Sequence, residues 1–235
     1  GNMGFNKAQK EAITQKDGPI MVLAGPGSGK TLVITRRIEY LIQQHKVKPE
    51  EILVVTFTKA ATAEMRERFL RLMEGKHLPV TFGTFHGIYY GILKWAYSLK
   101  AENILSEEEK AAMIKEAAES VEEELDIDDE KEFLSGISAE IGSIKNNRID
   151  PNSFESNQCP NHVFRQIYTE YETIRNRRRK LDFDDMLVLC YDLFVKRPDI
   201  LRKWQERYAY ILIDEFQDIN QVQYDVIRML AAPQN

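Results

Sequence analysis

Ile20-Met21-Val22-Leu23-Ala24-Gly25-Pro26-Gly27-Ser28-Gly29-Lys30-Thr31 decides the fold. An apolar run, Ile20 to Ala24, has the length of a buried strand, and Thr31 to Gln44 follows with Leu32, Val33, Ile38, Leu41 and Ile42 at roughly helical spacing. Between them lies a glycine-rich loop. Gly25, Gly27 and Gly29 let backbone N–H groups and the helix N-terminus point at phosphate oxygens without side-chain obstruction. Lys30 has the position to reach the β- and γ-phosphates, and the Thr31 hydroxyl to ligate Mg²⁺. Ala24 stands where the common pattern has glycine, but that position ends the strand, so a small residue serves. With Pro26 and Ser28 completing the loop, Ala24 to Thr31 is the expected binding site of a nucleoside triphosphate.

Outward from the loop, strand and helix alternate. Ile52 to Phe57 reads as a second strand, Ala60 to Met73 as a helix, Val80 to Phe82 as a third strand and Gly87 to Leu99 as another helix, the rhythm of a parallel, doubly wound sheet. Near Ala101 the rhythm breaks. Ser106-Glu107-Glu108-Glu109 is a capping box opening an acidic helix, and helical periodicity without strands runs to about Lys180. From Asp182 the first pattern resumes, with helices over Asp184 to Lys196 and Pro198 to Arg207, a strand over Ala209 to Ile213 and a helix over Gln221 to Ala231. The fold class is therefore α/β: a P-loop NTPase (RecA-like) parallel sheet interrupted by an inserted all-helical subdomain. Expected boundaries are 5–102 and 181–235 for the sheet domain and 103–180 for the insertion.

The last strand ends in Asp214-Glu215-Phe216-Gln217-Asp218. A carboxylate at a strand tip, Asp214, is positioned to hold Mg²⁺ through a water, and its neighbour Glu215 to polarise the attacking water as general base. Taken alone, Asp214 and Asp218 would serve equally as caps of the final helix; the loop upstream favours the metal.

Composition sets bounds. With 43% hydrophobic and 29% charged residues the chain buries a sizeable core, and no apolar stretch approaches the length that crosses a bilayer. The N-terminus lacks a secretory profile, and Gly1-Asn2-Met3 looks like an expression scar. Two cysteines, Cys159 and Cys190, without Cys-x-x-Cys spacing, point to a reduced, cytoplasmic setting and away from zinc. The net charge of −5 does not favour phosphate contacts, so any nucleic-acid surface must lie in how charge is distributed.

Five blocks in order resemble the UvrD/Rep/PcrA group of superfamily 1 DNA helicases over nearly the whole chain. Phe5-Asn6-Lys7-Ala8-Gln9 is similar to its Q motif, which implies that Gln9 contacts adenine. Thr56-Phe57-Thr58 through Ala63-Glu64-Met65-Arg66 resembles motif Ia, Gly83-Thr84-Phe85-His86 motif Ib, Leu181-Asp182-Phe183-Asp184-Asp185-Met186 the segment re-entering the first motor domain, and Asp214 to Asp218 motif II. The resemblance implies ATP and Mg²⁺ as cofactors, with Lys30, Asp214, Glu215 and Gln217 catalytic and Gln217 relaying the state of the γ-phosphate. It implies single-stranded DNA and single/double-strand junctions as partners, with 3'-to-5' movement and no membrane. Phe57, Thr58, Thr84, His86 and Phe183 would be the DNA contacts. Phe57 at a strand's carboxyl edge can stack on a base, and Thr58, Thr84 and His86 can donate to phosphodiesters. Each has a second reading: Phe57 and Phe85 as core, His86 as a helix cap, and Phe183 as part of an acidic first turn with Asp182, Asp184 and Asp185.

Two positions depart from the group. Lys59 and Ala60 stand where Asn and Lys often follow Thr-Phe-Thr, and Leu32 stands where relatives carry an Arg near adenine. Arg175, Arg177, Arg178, Arg179 and Lys180 form the dense basic run, read either as a solvated helix face or as a phosphate-tracking surface; the acidic stretch Glu107 to Glu132 reads as an outward solvated face. Tyr89, Tyr90, Tyr168 and Tyr171 read as packing residues. By the same resemblance, motif III and a second motor domain would follow Asn235, and the 235 residues alone would bind nucleotide weakly, hydrolyse little and unwind nothing. A helicase part of a RecB/AddA-like helicase-nuclease, and a nucleotide-switched nucleic-acid binding module without unwinding, are the alternatives.

Overall fold

The computed structural model describes residues 23–24, 30–214 and 219–231, with side chains from Ile34 onward in the first helix. Four parallel strands form the sheet, β1 (Leu23–Ala24), β2 (Ile52–Thr56), β3 (Thr81–Thr84) and β4 (Tyr210–Asp214), in the order β1-β4-β2-β3. All five residues of β2 are buried. A strand covered on both faces needs an unbroken apolar run, and Ile52 to Val55 supplies one.

Helix α1 (Lys30–Gln44) and helix α2 (Lys59–Leu72) cover one face. Ile34, Ile38 and Leu41 from α1 meet Met65 and Phe69 from α2 over Ile52, Val54, Phe82 and Leu212. Leu53, Val55, Ile211 and Ile213, also fully buried, alternate with these and so face the other way. There helix α3 (Phe85–Tyr97) brings Tyr89, whose hydroxyl donates to the Gln223 carbonyl of helix α9 (Gln221–Leu230) at 3.2 Å.

Helices α4 (Glu107–Glu119), α5 (Glu130–Asn147) and α6 (Asn161–Arg177) build a separate core around Ile114, Ile137, Ile141, Phe164, Ile167, Tyr171 and Ile174. Ser106 caps α4: its hydroxyl accepts from the Glu109 amide while Glu109 accepts from the Ser106 amide, as the sequence predicts. Arg148 ends α5 in the left-handed region at φ 52°, a place usually held by glycine. Ile104 and Leu181 form a parallel bridge that stitches the two ends of the helical segment together. Helices α7 (Phe183–Lys196) and α8 (Pro198–Arg207) complete the chain.

The chain divides into two compact units, one holding the residues up to Tyr89 and from Tyr191, the other Tyr90–Cys190. The fold is the mixed α/β arrangement expected, a parallel sheet with an all-helical part. Several expected bounds move by a residue or two. Strand β3 extends to Thr84 because the ladder with β2 continues through Val55↔Gly83 and Thr56↔Thr84, although neither Gly83 nor Thr84 is apolar. Among the described residues no helix is long and apolar enough to cross a membrane.

Candidate nucleotide and nucleic-acid site

Parallel strands deliver all their carboxyl ends to one edge of a sheet, and ligands of open α/β sheets gather there. In the ladder between β1 and β4, Ala24 is the partner of Asp214, the last residue of β4. Neighbouring strands lie roughly 4.8 Å apart, so the strand that feeds the glycine loop ends beside the half-buried Asp214. Helix α1 opens at Lys30 and Thr31, directly after that loop. A helix N-terminus and a carboxylate at adjacent strand tips suit a phosphate chain with its divalent cation. Gln9, Gly25, Pro26, Gly27, Ser28, Gly29, Glu215 and Gln217 lie outside the described residues, as do the side chains of Ala24, Lys30 and Thr31.

The ends of β2 and β3 carry the other candidates. Thr58 is exposed and caps α2, its hydroxyl oxygen accepting from the Ala61 amide at 3.0 Å. Thr84 does the same for α3, accepting from the Gly87 amide at 3.0 Å. A threonine hydroxyl has one hydrogen to donate besides its lone pairs. Because both caps use the oxygen as acceptor, the O–H of Thr58 and of Thr84 remains to be donated elsewhere, the requirement for holding a phosphodiester oxygen.

Phe57 and Phe85 separate here. Phe85 is 2% exposed and packs on Tyr89 with ring centroids 5.9 Å apart, so it belongs to the core. Phe57 is half-buried and rests on Phe85 at 4.9 Å with the rings tilted by 54°. One part of its ring is anchored and the rest is open to a stacking partner. His86 keeps an exposed surface, yet partial desolvation, followed by the Lys59 ammonium, pulls its pKa down to about 4. That favours the neutral imidazole at pH 7, a group able to hydrogen-bond without carrying charge.

Phe183, half-buried, opens α7 in the helical unit. The acids around it do make an acidic first turn, with Asp184 and Asp185 in it, but one turned toward the protein interior. Asp182 and Asp185 exchange backbone hydrogen bonds as a reciprocal cap, at 2.9 and 2.8 Å. Their other oxygens meet Lys145 Nζ, at 2.7 Å for Asp182 and 2.9 Å for Asp185, and Glu172 joins it at 3.2 Å. The Tyr171 hydroxyl donates to Asp182 at 2.7 Å, and Arg175 pairs with Glu172 and Asp185 at 2.6 and 3.1 Å. Asp184 accepts from Asn146 at 2.7 Å and faces Lys110 at 3.6 Å. A Cβ on Gly142 would meet Asp184 Oδ2 at 3.1 Å, which accounts for a glycine inside α5. Burial, followed by the charge of Asp182, pushes Asp185 up to about 6, while Lys145 holds Asp182 down at about 2 against its own burial.

Of the basic run, this network takes in Arg175, which is buried. Arg178, exposed, pairs with Glu116 at 2.8 Å, the Lys180 ammonium contacts the Glu102 carbonyl, and Arg177 and Arg179 are exposed as well. Sequence reading missed Lys145 and Lys110, whose only signal is a lysine on the apolar stripe of its helix. It also missed Thr62, a buried hydroxyl beneath the Thr58 turn.

The family model for the UvrD/REP helicase N-terminal domain matches residues 5–235. YjcD of Bacillus subtilis is 40% identical over 99% of this chain and 31% of its own length. The ATP-dependent DNA helicase PcrA of Leuconostoc citreum is 34% identical over 97% of this chain and 31% of its own, and DNA helicase II of Rickettsia typhi is 38% identical over 97% and 35%. The chain thus spans about a third of the length of these relatives.

Proposed function

Because the chain belongs to the family of UvrD/REP helicase N-terminal domains, we propose that it is the ATP-binding and hydrolysing part of a DNA helicase that moves along single-stranded DNA. The observation that carries this reading is the pairing of Ala24 with Asp214, which sets the entry of the phosphate loop beside the acidic strand tip. In this reading the loop amides and Lys30 bind the phosphates, and Thr31 and Asp214 hold the Mg²⁺ that accompanies ATP. Glu215 takes the proton of the attacking water, Gln217 reads the γ-phosphate and Gln9 the adenine. Mg²⁺ supplies charge compensation at the phosphates.

Residues 5–102 and 181–235 form the motor domain and 103–180 the inserted helical subdomain, a division supported by the Ile104↔Leu181 stitch, although the compact helical unit reaches further, from Tyr90 to Cys190. Single-stranded DNA, or the strand leaving a duplex junction, crosses the carboxyl ends of β2 and β3. It stacks on Phe57 and accepts hydrogen bonds from Thr58, Thr84 and His86. Phe183 is a further stacking contact. The setting is the cytoplasm, where the thiols of Cys159 and Cys190 stay reduced.

Single-turnover hydrolysis of ATP by the intact protein, with Mg²⁺ and with or without oligo-dT, tests the assignment. Glu215→Gln should retain nucleotide and lose about 100-fold or more in rate, the usual weight of a general base. Undiminished hydrolysis in that variant would remove Glu215 from its role. Hydrolysis that oligo-dT leaves unchanged, with no strand displacement, would replace the motor by a nucleotide-switched binder.

A further inference from the structure

We infer that Thr62, with Thr56, is a positioning residue for the grip on single-stranded nucleic acid; this rests on the proposed role of Phe57 and Thr58. Thr56 and Thr62 are both buried, and their hydroxyl oxygens are in direct contact beneath the turn that joins β2 to α2. The Thr62 hydroxyl donates to the Thr58 carbonyl at 3.0 Å, an acceptor shared with the Thr62 amide at 3.0 Å. The Thr56 hydroxyl also lies 3.2 Å from that carbonyl and 3.5 Å from the carbonyl of Gly83 on β3.

The proton count is consistent. Thr62 gives its hydrogen to Thr58 O, and Thr56 gives its hydrogen to the Thr62 oxygen, so both buried hydroxyls are satisfied. Thr58 is consequently held at two points. Its side chain is fixed by the Ala61 amide and its carbonyl from below, in an extended conformation at φ −131° and ψ 152°. Two-point fixation sets the direction of the remaining Thr58 O–H and of the adjacent Phe57 ring before any strand arrives, and preorganised contacts bind without an ordering cost at the moment of binding.

Thr62→Val keeps the shape and removes the hydroxyl. In the intact protein we expect a loss of about five-fold in affinity for fluorescein-labelled oligo-dT, the equivalent of one net hydrogen bond. ATP hydrolysis without DNA should stay near wild type, the melting temperature should fall by no more than a few degrees because Thr56 can turn its hydrogen to the Thr58 carbonyl 3.2 Å away, and Thr62→Ser should keep wild-type binding. Thr62→Ala, which suits any helix, serves if the valine variant folds poorly. Wild-type affinity in both Thr62→Val and Thr62→Ala overturns the inference, as does a serine variant as weak as valine, which would make the methyl group the source. Absence of oligo-dT binding by the wild type would instead overturn the nucleic-acid reading on which it rests.

Discussion

Replacing Lys145 by methionine should be the most costly single change in the helical unit. The ammonium is the shared partner of Asp182, Asp185 and Glu172 at 2.7, 2.9 and 3.2 Å, with side-chain exposures of 7% for Lys145 and 1% for Asp182. Methionine fills the volume, so the loss is electrostatic. Arg175 still serves Glu172 and Asp185, but Asp182 Oδ2 keeps only the Tyr171 hydroxyl. A buried charge left by removal of its partner costs about 3–5 kcal/mol. At roughly 2–4 °C per kcal/mol for a chain of this size, the melting temperature should fall by about 6–20 °C. Lys145 has its pKa raised, and a raised lysine is fully charged below its ordinary range, so its own titration contributes nothing between pH 5 and 8. The pH dependence comes from the carboxylates. Without the cation their folded-state pKa values rise, so the variant is favoured by protonation and its deficit grows as pH increases. Urea titrations at pH 5 and pH 8 measure this. A deficit below about 1 kcal/mol at pH 8, or one equal at both pH values, would refute the assignment of Lys145 as the central cation.

Asp185 gives a second test. Its folded pKa is raised from 3.8 to about 6, so its contribution to stability is present below 3.8 and lost as pH rises to about 6, and Asp185→Asn should flatten that part of the profile in thermal melts. Asp182, lowered to about 2, has the opposite sign, its contribution lost as pH falls from 3.8. Phe57→Ala should weaken oligo-dT binding by about 1–3 kcal/mol with little change in melting, whereas Phe85→Ala should cost about 3–5 kcal/mol of stability because its ring is core. Equal melting temperatures for the two variants would contradict the division. His86 has a folded pKa lowered from 6.5 to about 4, so it withdraws stability as pH falls through that window; oligo-dT affinity should not rise between pH 8 and 6 on its account. A rise in that range that His86→Ala abolishes would show a charged imidazole instead.

Much of the fold was legible because the sheet is buried on both faces. Ile52 to Val55 and Ile211 to Ile213 can hardly be anything but covered strands, and the capping box of α4 announces itself in Ser106-Glu109, whereas α9 is capped by Asn220 and Gln223, not by the Asp214 or Asp218 that the sequence offers. Two of the misplaced helix starts share a cause. Thr84 and Asp182 are caps that start their helices earlier than apolar periodicity suggests, and a cap is a hydrogen bond, invisible to hydropathy. The basic run was legible as charge but not as direction. Arg175 follows Tyr171 by four residues and so shares its buried stripe, yet its acidic partners lie at Glu172 and Asp185, and the lysine that balances them comes from α5.

At the sheet edge the motifs name residues that lie at neighbouring strand ends, but how their hydroxyls are used is three-dimensional. Thr56, Thr58, Thr62 and Thr84 are one residue type with two uses. Thr58 and Thr84 turn their oxygens inward to cap a helix and keep a hydrogen for an outside acceptor. Thr56 and Thr62 turn theirs toward each other and toward the Thr58 carbonyl, with nothing left over. The difference follows from depth. The first pair stands at or just past the strand ends, where the chain enters a helix, and the second lies beneath, where an unpaired hydroxyl would cost about 1–3 kcal/mol. A pair of satisfied hydroxyls under a pair with hydrogens to give is a graded construction: the lower layer fixes the backbone, and in the proposed function the upper layer meets the ligand. Conservative changes should therefore separate by layer. Serine preserves the function of all four positions to the extent that the hydroxyl alone matters, while valine in the lower layer loosens the turn and valine in the upper layer removes both a cap and a contact.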